Sequence, residues 1–385
     1  MIPYGKQDIN QVDIDSVVNV LQSDFLTQGP QVPLFEKKVA KYCQVDYATA
    51  VNSATSALHI ACLALDLKKD DWLWTSPNSF VASANCGLYC GAKVDFVDID
   101  MTTYNLSISE LSKKLVRAKK ENKLPKVLVP VHFAGQSSDM KKIHSLSKEY
   151  GFKIIEDASH AIGGKYLNQP IGCCQYSDIT VFSFHPVKII TSAEGGMATT
   201  NDVNLSERMK LIRSHGISRN QRLMDKLSEG DWYYEQVDLG FNYRMNDLQA
   251  ALGLSQMQRL DEFVTKRHTL QERYDLLLER LPIIMPYQDK DCYSALHLYP
   301  IQIDFDSIKK TRKQVFDELR KNGVGVNVHY IPIHLHPYYK KLQFKEEDFP
   351  NSELYYSKAI TIPLFNSMTI EQQDDVVNAL KLVLQ

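Results

Sequence analysis

The sequence predicts an α/β protein, with a large domain around a mainly parallel sheet and a smaller C-terminal α+β domain. Three observations carry this expectation. From Asn52 to Thr200, apolar β-branched runs alternate with helical stretches, the spacing of a βα progression. Two of those runs, KIIEDA and DITVFSFH, end abruptly in polar residues, as buried parallel strands do where they open onto a cleft. Beyond Met245 the pattern changes to a long helical stretch, then to strands set between helices.

The elements follow in order. An N-terminal arm carries a helix-like stretch around Asp13 to Gln22, then SDFLTQGPQV, rich in turn residues and poor in periodicity. NSATSALHIACLAL, from Asn52 to Leu65, enters a helix through small polar residues, which places a Ser/Thr cluster at a helix N-terminus. TSPNSFVASANCGLYCGA reads as a turn and a helix, KVDFVDI as a strand, and Ser107 to Asn122 as a helix. KVLVPVHF is a strand, Asp139 to Tyr150 a helix and KIIEDA a strand, with DITVFSFH and GGMATT adding two more. Met245 to Arg280 reads as one helical stretch. After it, HLYPIQIDF, VGVNVHYI and AITIPLF read as strands, with helices at Ser307 to Asn322 and Thr369 to Leu384. The division is expected near the start of the long helix, giving 1–250 and 251–385.

A chain of 385 residues exceeds one small core, and 44% hydrophobic with 10% aromatic residues describes a folded globular protein. Forty-four Lys and Arg against forty-six Asp and Glu leave −2, so bulk attraction to nucleic acid or membrane is absent. Seven cysteines (43, 62, 86, 90, 173, 174 and 292) form an odd set without CxxC spacing. Reduced, mostly buried thiols of a cytoplasmic enzyme explain them better than disulfides or zinc. The start, MIPYGKQDIN, is polar, and no apolar run approaches a membrane span.

The chemistry concentrates at two strand ends. One offers Asp157 followed by His160; the other offers Ser183, His185 and Lys188, then a Glu-Gly-Gly turn. An amine facing a carboxylate is what pyridoxal 5′-phosphate needs: the amine joins its aldehyde, and the carboxylate keeps its pyridine nitrogen protonated. Each residue also has an ordinary explanation. Most lysines are solvated surface charges, Asp157 could cap the following ASHAIG segment, and Thr55 and Ser56 could be simple helix caps. Helix N-termini also bind phosphate through free amides. His334 and His336 have HxH spacing without a clear third ligand, so no metal is expected.

IIEDASHAIGG and SFHPVKIITSAEGGM resemble the sugar aminotransferases of the DegT/DnrJ/EryC1/StrS family, within the fold-type-I pyridoxal-phosphate enzymes. The resemblance runs from Tyr4 and LTQGP to TIPLF, nearly the whole chain. It implies that Lys188 binds the cofactor and moves the substrate proton, and that Asp157 partners the pyridine nitrogen. It places His160 near the ring, Phe80 against one ring face, and Ala54, Thr55, Ser56 and Ser183 around the phosphate. Asn242 would reach the cofactor phosphate of the neighbouring subunit, making a homodimer with shared sites; Arg244 is either a second such contact or an ordinary ion-pair residue. Tyr4, Asp24, Phe25, Leu26, Thr27, His329, Tyr330 and Phe344 resemble nucleotide-sugar contacts; each could equally be structural. His185, three residues before Lys188, joins them with its role open, as does Asn242.

SFHPVK, RSHGI, LGFNYRMNDLQAALG, HLYPI and VHYIPIHLHPYY carry a finer match. It is to the branch that moves an amino group from L-glutamate to C4 of a UDP-linked 4-keto-6-deoxy-N-acetylhexosamine, towards pseudaminic acid. The alternatives are a UDP-4-keto-pentose, a dTDP- or GDP-linked keto sugar, or a cofactor-binding regulator without catalysis. The combination of Lys188, Asp157, His160 and Ser183 opposes the last. A dehydratase on this scaffold is disfavoured too, because those members replace the lysine with histidine.

Overall fold

The computed structural model describes residues 1–384. A seven-stranded sheet organises the first half: β1 (Tyr47–Val51), β2 (Trp72–Thr75), β3 (Lys93–Phe96), β4 (Val127–Val129), β5 (Lys153–Asp157), β6 (Ile179–Ser183) and β7 (Gly196–Thr200). Their order is β1-β7-β6-β5-β4-β2-β3. The pairs β3/β2, β2/β4, β4/β5 and β5/β6 are parallel, and only β7 runs antiparallel to its neighbours β6 and β1. The carboxyl ends of six strands therefore lie along one edge, where ligands bind in open α/β sheets.

Strand residues alternate between two apolar layers. Val127, Val129, Ile155, Val181 and Ala198 pack with α3 (Ala54–Ala64), α4 (Ala82–Tyr89) and α7 (Val203–Ile212). On the other face, Leu128 and Ile154 meet α5 (Ile108–Glu121) and α6 (Met140–Tyr150). Further along that face, Phe182 and Met197 meet α2 (Gln31–Cys43) and α8 (Asp247–Gln256). This is a period-two pattern buried on both sides. The N-terminal helix α1 (Gln11–Leu21) opens with a capping box between Asn10 and Asp13 and packs along α8.

The C-terminal part has its own apolar cluster. Ile283–Ile284, Tyr299–Ile303 and Ala359–Ile362 form a three-stranded antiparallel sheet, covered by α9 (Leu260–Leu278), α10 (Arg312–Lys321) and α11 (Ile370–Leu384).

Several expectations are corrected. Met245–Arg280 is two helices, because the chain tightens into a 3₁₀ turn at Met257–Arg259 and Arg259 leaves helical geometry. VGVNVHYI makes only single bridges, Val324 to Ile2 and Asn327 to Thr361. Its Asn327 side chain accepts from the Val328 amide at 2.8 Å, taking a donor that a ladder would use. KVLVPVHF is a three-residue strand that stops before Pro130. QGPQV opens helix α2, which the sequence reading left in a turn. Its cap is remote: Asp247 accepts from the Gly29 and Gln31 amides at 2.9 and 2.8 Å.

Candidate active site

The carboxyl edge of the sheet and the 327–330 segment enclose a cleft of about 530 Å³. Its walls include Asp157, Ser159 and His160 after β5, and Ser183, His185, Val187 and Lys188 after β6. Ser53, Ala54 and Thr55 come from the N-terminus of α3; Ser79 and Phe80 come from the loop after β2.

Asp157 is buried and over-determined. Ser83 Oγ donates to Oδ2 at 2.6 Å, and the Ser159 hydroxyl and amide donate to Oδ1 at 2.6 and 3.1 Å. Ser79 and Ser83 share a further hydrogen bond of 2.7 Å, so a hydroxyl relay from α4 backs the carboxylate. Lys188 sits in the loop between β6 and β7, its amide donating to His185 O at 2.9 Å. Burial lowers its ammonium pKa to about 8, against the opposing pull of Asp157.

Beside Lys188, His160 is buried, with Nε2 3.0 Å from the Tyr330 hydroxyl and Nδ1 unpartnered among the described residues. Burial, then the charges of Lys188 and His329, hold His160 well below the usual histidine range. His329 is pushed down to about 3, first by burial and then by Lys188, and it hydrogen-bonds Thr361 Oγ1 through Nδ1 at 2.9 Å. Around one ionisable amine, both histidines are therefore neutral.

At the other end, Ser53 caps α3 by accepting from the Ser56 amide at 3.1 Å. Gly196 packs against this turn: a Cβ there would lie 2.5 Å from Ser53 O and 2.6 Å from Ala54 N. The sheet thus approaches the helix N-terminus as closely as backbone allows. The Ser56 side chain turns inward, donating to Asn52 Oδ1 at 2.7 Å, and does not line the cleft.

The profile of the DegT/DnrJ/EryC1/StrS aminotransferase family matches residues 7–381. The chain belongs to this family. Among relatives, the UDP-4-amino-4,6-dideoxy-N-acetyl-beta-L-altrosamine transaminase of Campylobacter jejuni is 37% identical over 386 residues, covering 100% of this chain and 98% of that one. A solved structure titled Helicobacter pylori PseC, aminotransferase involved in the biosynthesis of pseudoaminic acid, superposes with a TM-score of 0.90 at 31% identity, covering 100% and 99% of the two chains. The putative sugar aminotransferase Spr1654 of Streptococcus pneumoniae, solved in PMP-form, gives 0.89 at 27% identity over 100% and 99%. It has also been solved in PLP-form.

Within this DegT/DnrJ/EryC1/StrS chain, the cleft gathers Tyr4, Ala54, Thr55, Phe80, Asp157, His160, Ser183, His185, Lys188, His329 and Tyr330. Other candidates lie outside its lining. Asp24, Phe25, Leu26 and Thr27 form an exposed loop against the start of α8, where Leu26 O accepts from the Asp247 amide. Asn242 is exposed and Arg244 partly buried in the adjoining segment, with Asn242 O 3.4 Å from Asn52 Nδ2. Phe344 packs on Phe96 with ring centroids 5.0 Å apart. His334 is buried against Glu353.

Sequence reasoning missed Ser83 and Ser159, which hold Asp157, and His297, whose ring lies 4.4 Å from that of His160. It also missed Ser53, Glu194 and Asn327 in the walls. For Ser83 no local signal existed: Ser79 lies in the bend before α4, so the pairing of the two hydroxyls depends on the three-dimensional turn. For His297, HLYPI had been noted as a motif but not as a wall.

Proposed function

We propose that the chain is a pyridoxal-phosphate aminotransferase that moves an amino group from L-glutamate to C4 of a UDP-4-keto-6-deoxy-N-acetylhexosamine. The product would be UDP-4-amino-4,6-dideoxy-N-acetyl-β-L-altrosamine, a precursor of pseudaminic acid. The observation that carries the reaction class is the meeting of Lys188, depressed to about 8, with a buried, thrice hydrogen-bonded Asp157 in one cleft. The substrate rests on the names of the Campylobacter relative and the Helicobacter structure.

The residues fit the cofactor. The cleft is of ligand-binding size, His160 Nδ1 is a buried polar atom without a partner, and the Ser53–Thr55 turn presents a helix N-terminus that Gly196 leaves unobstructed. Lys188 would hold its aldehyde, Asp157 its ring nitrogen, Phe80 a ring face, and Ala54, Thr55 and Ser183 its phosphate. When bound, the cofactor supplies an electron-withdrawing ring that makes the substrate C–H acidic. An amine whose pKa is about 8 can accept and return that proton near neutral pH. Asp157, held by Ser83 and Ser159, presents its carboxyl group at the cleft wall. Tyr330 and His160, both neutral, orient by hydrogen bonding without competing for the proton.

Lys188 is the one lysine or arginine among the residues that line the cleft. A cofactor phosphate and a nucleotide diphosphate together need more positive charge. This supports a homodimer in which Arg244 brings charge, and exposed Asn242 a neutral hydrogen-bond donor, to the neighbour's site. The apolar cluster from Leu270 to Leu384 supports a separate C-terminal unit, but Met257, Leu260, Phe263 and Val264 pack with the large sheet, which favours a division after them over the expected 1–250 and 251–385. No helix among the described residues is long and apolar enough to cross a membrane. Residence in the cytoplasm is supported by the seven unpaired cysteines.

Incubation with glutamate and a panel of nucleotide keto sugars, read by mass spectrometry, tests the reading. Preferential amination of the UDP-N-acetyl sugar is expected. Equal use of a UDP-4-keto-pentose or a dTDP- or GDP-linked keto sugar would remove the pseudaminic acid assignment, and no amination of any would remove the aminotransferase.

A further inference from the structure

Behind the cleft lies a buried cation that the proposed chemistry does not use. Arg267, on α9, is 1% exposed, and its pKa is pushed down to about 9 by burial alone, with no carboxylate to offset it. Burying a guanidinium without a counter-ion is strongly unfavourable unless its N–H groups find acceptors. Its acceptors lie on two segments, 296–297, whose His297 lines the cleft, and 364–366, which packs behind it. Nη1 donates to Leu296 O and Leu364 O at 3.0 Å and to His297 O at 3.3 Å. Nε donates to Asn366 Oδ1 at 2.8 Å.

Each segment leads to a cleft residue. His297 is buried, with its ring 4.4 Å from His160. Asn366 Nδ2 donates at 3.4 Å to Ile189 O, the residue after Lys188. The Leu364 amide donates to Tyr4 O at 3.2 Å. We propose that Arg267 and Asn366 form a clamp that positions Lys188, His160 and Tyr4 relative to one another, one guanidinium fixing the two segments, 296–297 and 364–366, that back them. A planar fork with donors in fixed directions can hold carbonyls on separate segments at a set angle; a lysine ammonium cannot. The clamp also keeps the wall neutral: burial, His160, Lys188 and Arg267 together hold His297 well below the usual histidine range.

Arg267 and Asn366 are positioning residues, and the inference rests on Lys188 as the reacting amine. The test uses Arg267→Lys and Asn366→Asp in the full chain. Asn366→Asp retains an acceptor for Arg267 but removes the donor to Ile189 O, so it remains informative if Arg267→Lys fails to fold. In cofactor-free protein, competitive acetylation read by mass spectrometry should change the reactivity of Lys188 about threefold or more relative to exposed Lys38, since misplacement alters a partly buried amine more than a solvated one. In loaded protein, the visible circular dichroism of the cofactor should change, and kcat should fall about tenfold with KM for the sugar little altered, the pattern of lost alignment. Wild-type acetylation, dichroism and kcat alongside a lowered melting temperature would overturn the clamp and leave a structural brace. Failure of the wild type to aminate any sugar would instead sink the aminotransferase reading, while the acetylation of Lys188 would still decide the clamp.

Discussion

The two ends of the cleft are built differently. At the carboxylate end the carboxylate and the phenol have partners within the chain: Ser83 and Ser159 hold Asp157, Tyr330 meets His160 Nε2, and His297 packs behind it, with His160 Nδ1 left open. At the α3 end, Ser53 to Thr55 face the cleft with only their own cap, Phe80 is 60% exposed, and Asn242 lies on the outer surface nearby. The closed end holds the groups that must keep their protons and charges in order, where an unpaired buried charge would be costly. The open end is where the proposed function places phosphates, whose binding needs amides and charge. One chain thus builds the paired end of the cleft, and the proposed homodimer assigns the finishing of the α3 end to a second subunit.

The largest expected effect breaks the closed end outright. Lys188→Ala should lower turnover by roughly 10³-fold or more, since it removes both the attachment point and the proton carrier. Borohydride should fix the cofactor to Lys188 in wild type and not in the variant; near-normal turnover of the variant would remove the mechanism. The pH dependence has a definite sign. As pH rises through about 8, the amine loses its proton and becomes nucleophilic, so acetylation of Lys188 in cofactor-free protein should be half-maximal near 8. Solvated lysines should follow about two units later. A Lys188 titrating with them would mean that the cleft does not desolvate it.

Next comes Asp157→Asn, which keeps the shape and removes the charge. A fall of roughly 10²-fold or more is expected, the scale of losing a preorganised electrostatic partner, with a smaller change in thermal stability. Turnover close to wild type would make Asp157 a cap for the ASHAIG turn, the ordinary explanation that its sequence context allows.

How far the two ends were legible follows from how local their signals are. Asp157 and Lys188 were readable because the first ends a buried β-branched run and the second follows another by five residues, and burial of such a strand is written in consecutive residues. The Ser/Thr cluster was readable as a helix start, but which hydroxyl faces the cleft depends on the three-dimensional turn; Ser53 takes the cap and Ser56 turns to Asn52. The start of helix α2 was hidden because its N-terminus is capped by Asp247, 216 residues from Gln31, although Val32, Phe35, Val39 and Cys43 recur at helical spacing and were a readable signal left unused. The strand reading of VGVNVHYI had the right extended pattern but no means of seeing that Asn327 diverts its neighbour's donor. Local periodicity was visible; partners brought from a distance were not.

The open end is tested by Asn242→Ala. Loss of one hydrogen bond to a charged phosphate should weaken cofactor binding by roughly tenfold or more, measured by titration of cofactor-free protein. Mixing with Lys188→Ala sharpens the point. If Asn242 serves the neighbouring site, a hybrid dimer has one site carrying neither defect, and random reassembly should recover about a quarter of wild-type activity. Demonstrated hybrids without recovery would place Asn242 outside the shared site and leave the open end unexplained.

The smallest effect asks whether the closed end is over-determined in energy as well as in geometry. Ser83 is wholly buried, and its hydroxyl donates to Asp157 Oδ2 at 2.6 Å while sharing a 2.7 Å hydrogen bond with Ser79. Ser83→Ala removes a hydrogen bond to a carboxylate and leaves Ser79 short of a partner, which should cost roughly 1–3 kcal/mol of stability in denaturant unfolding. The reacting centre should feel it less. Ser159 still donates its hydroxyl and amide to the other carboxylate oxygen, and with one donor gone Asp157 has more of its charge available for the cleft. Turnover should therefore change by less than about tenfold, well under the effect of Asp157→Asn. A loss of turnover equal to that of Asp157→Asn, in protein that still unfolds cooperatively, would mean that the α4 hydroxyl sets the carboxylate's aim. The closed end would then be a chain of single points of failure, with no reserve in its hydrogen bonding.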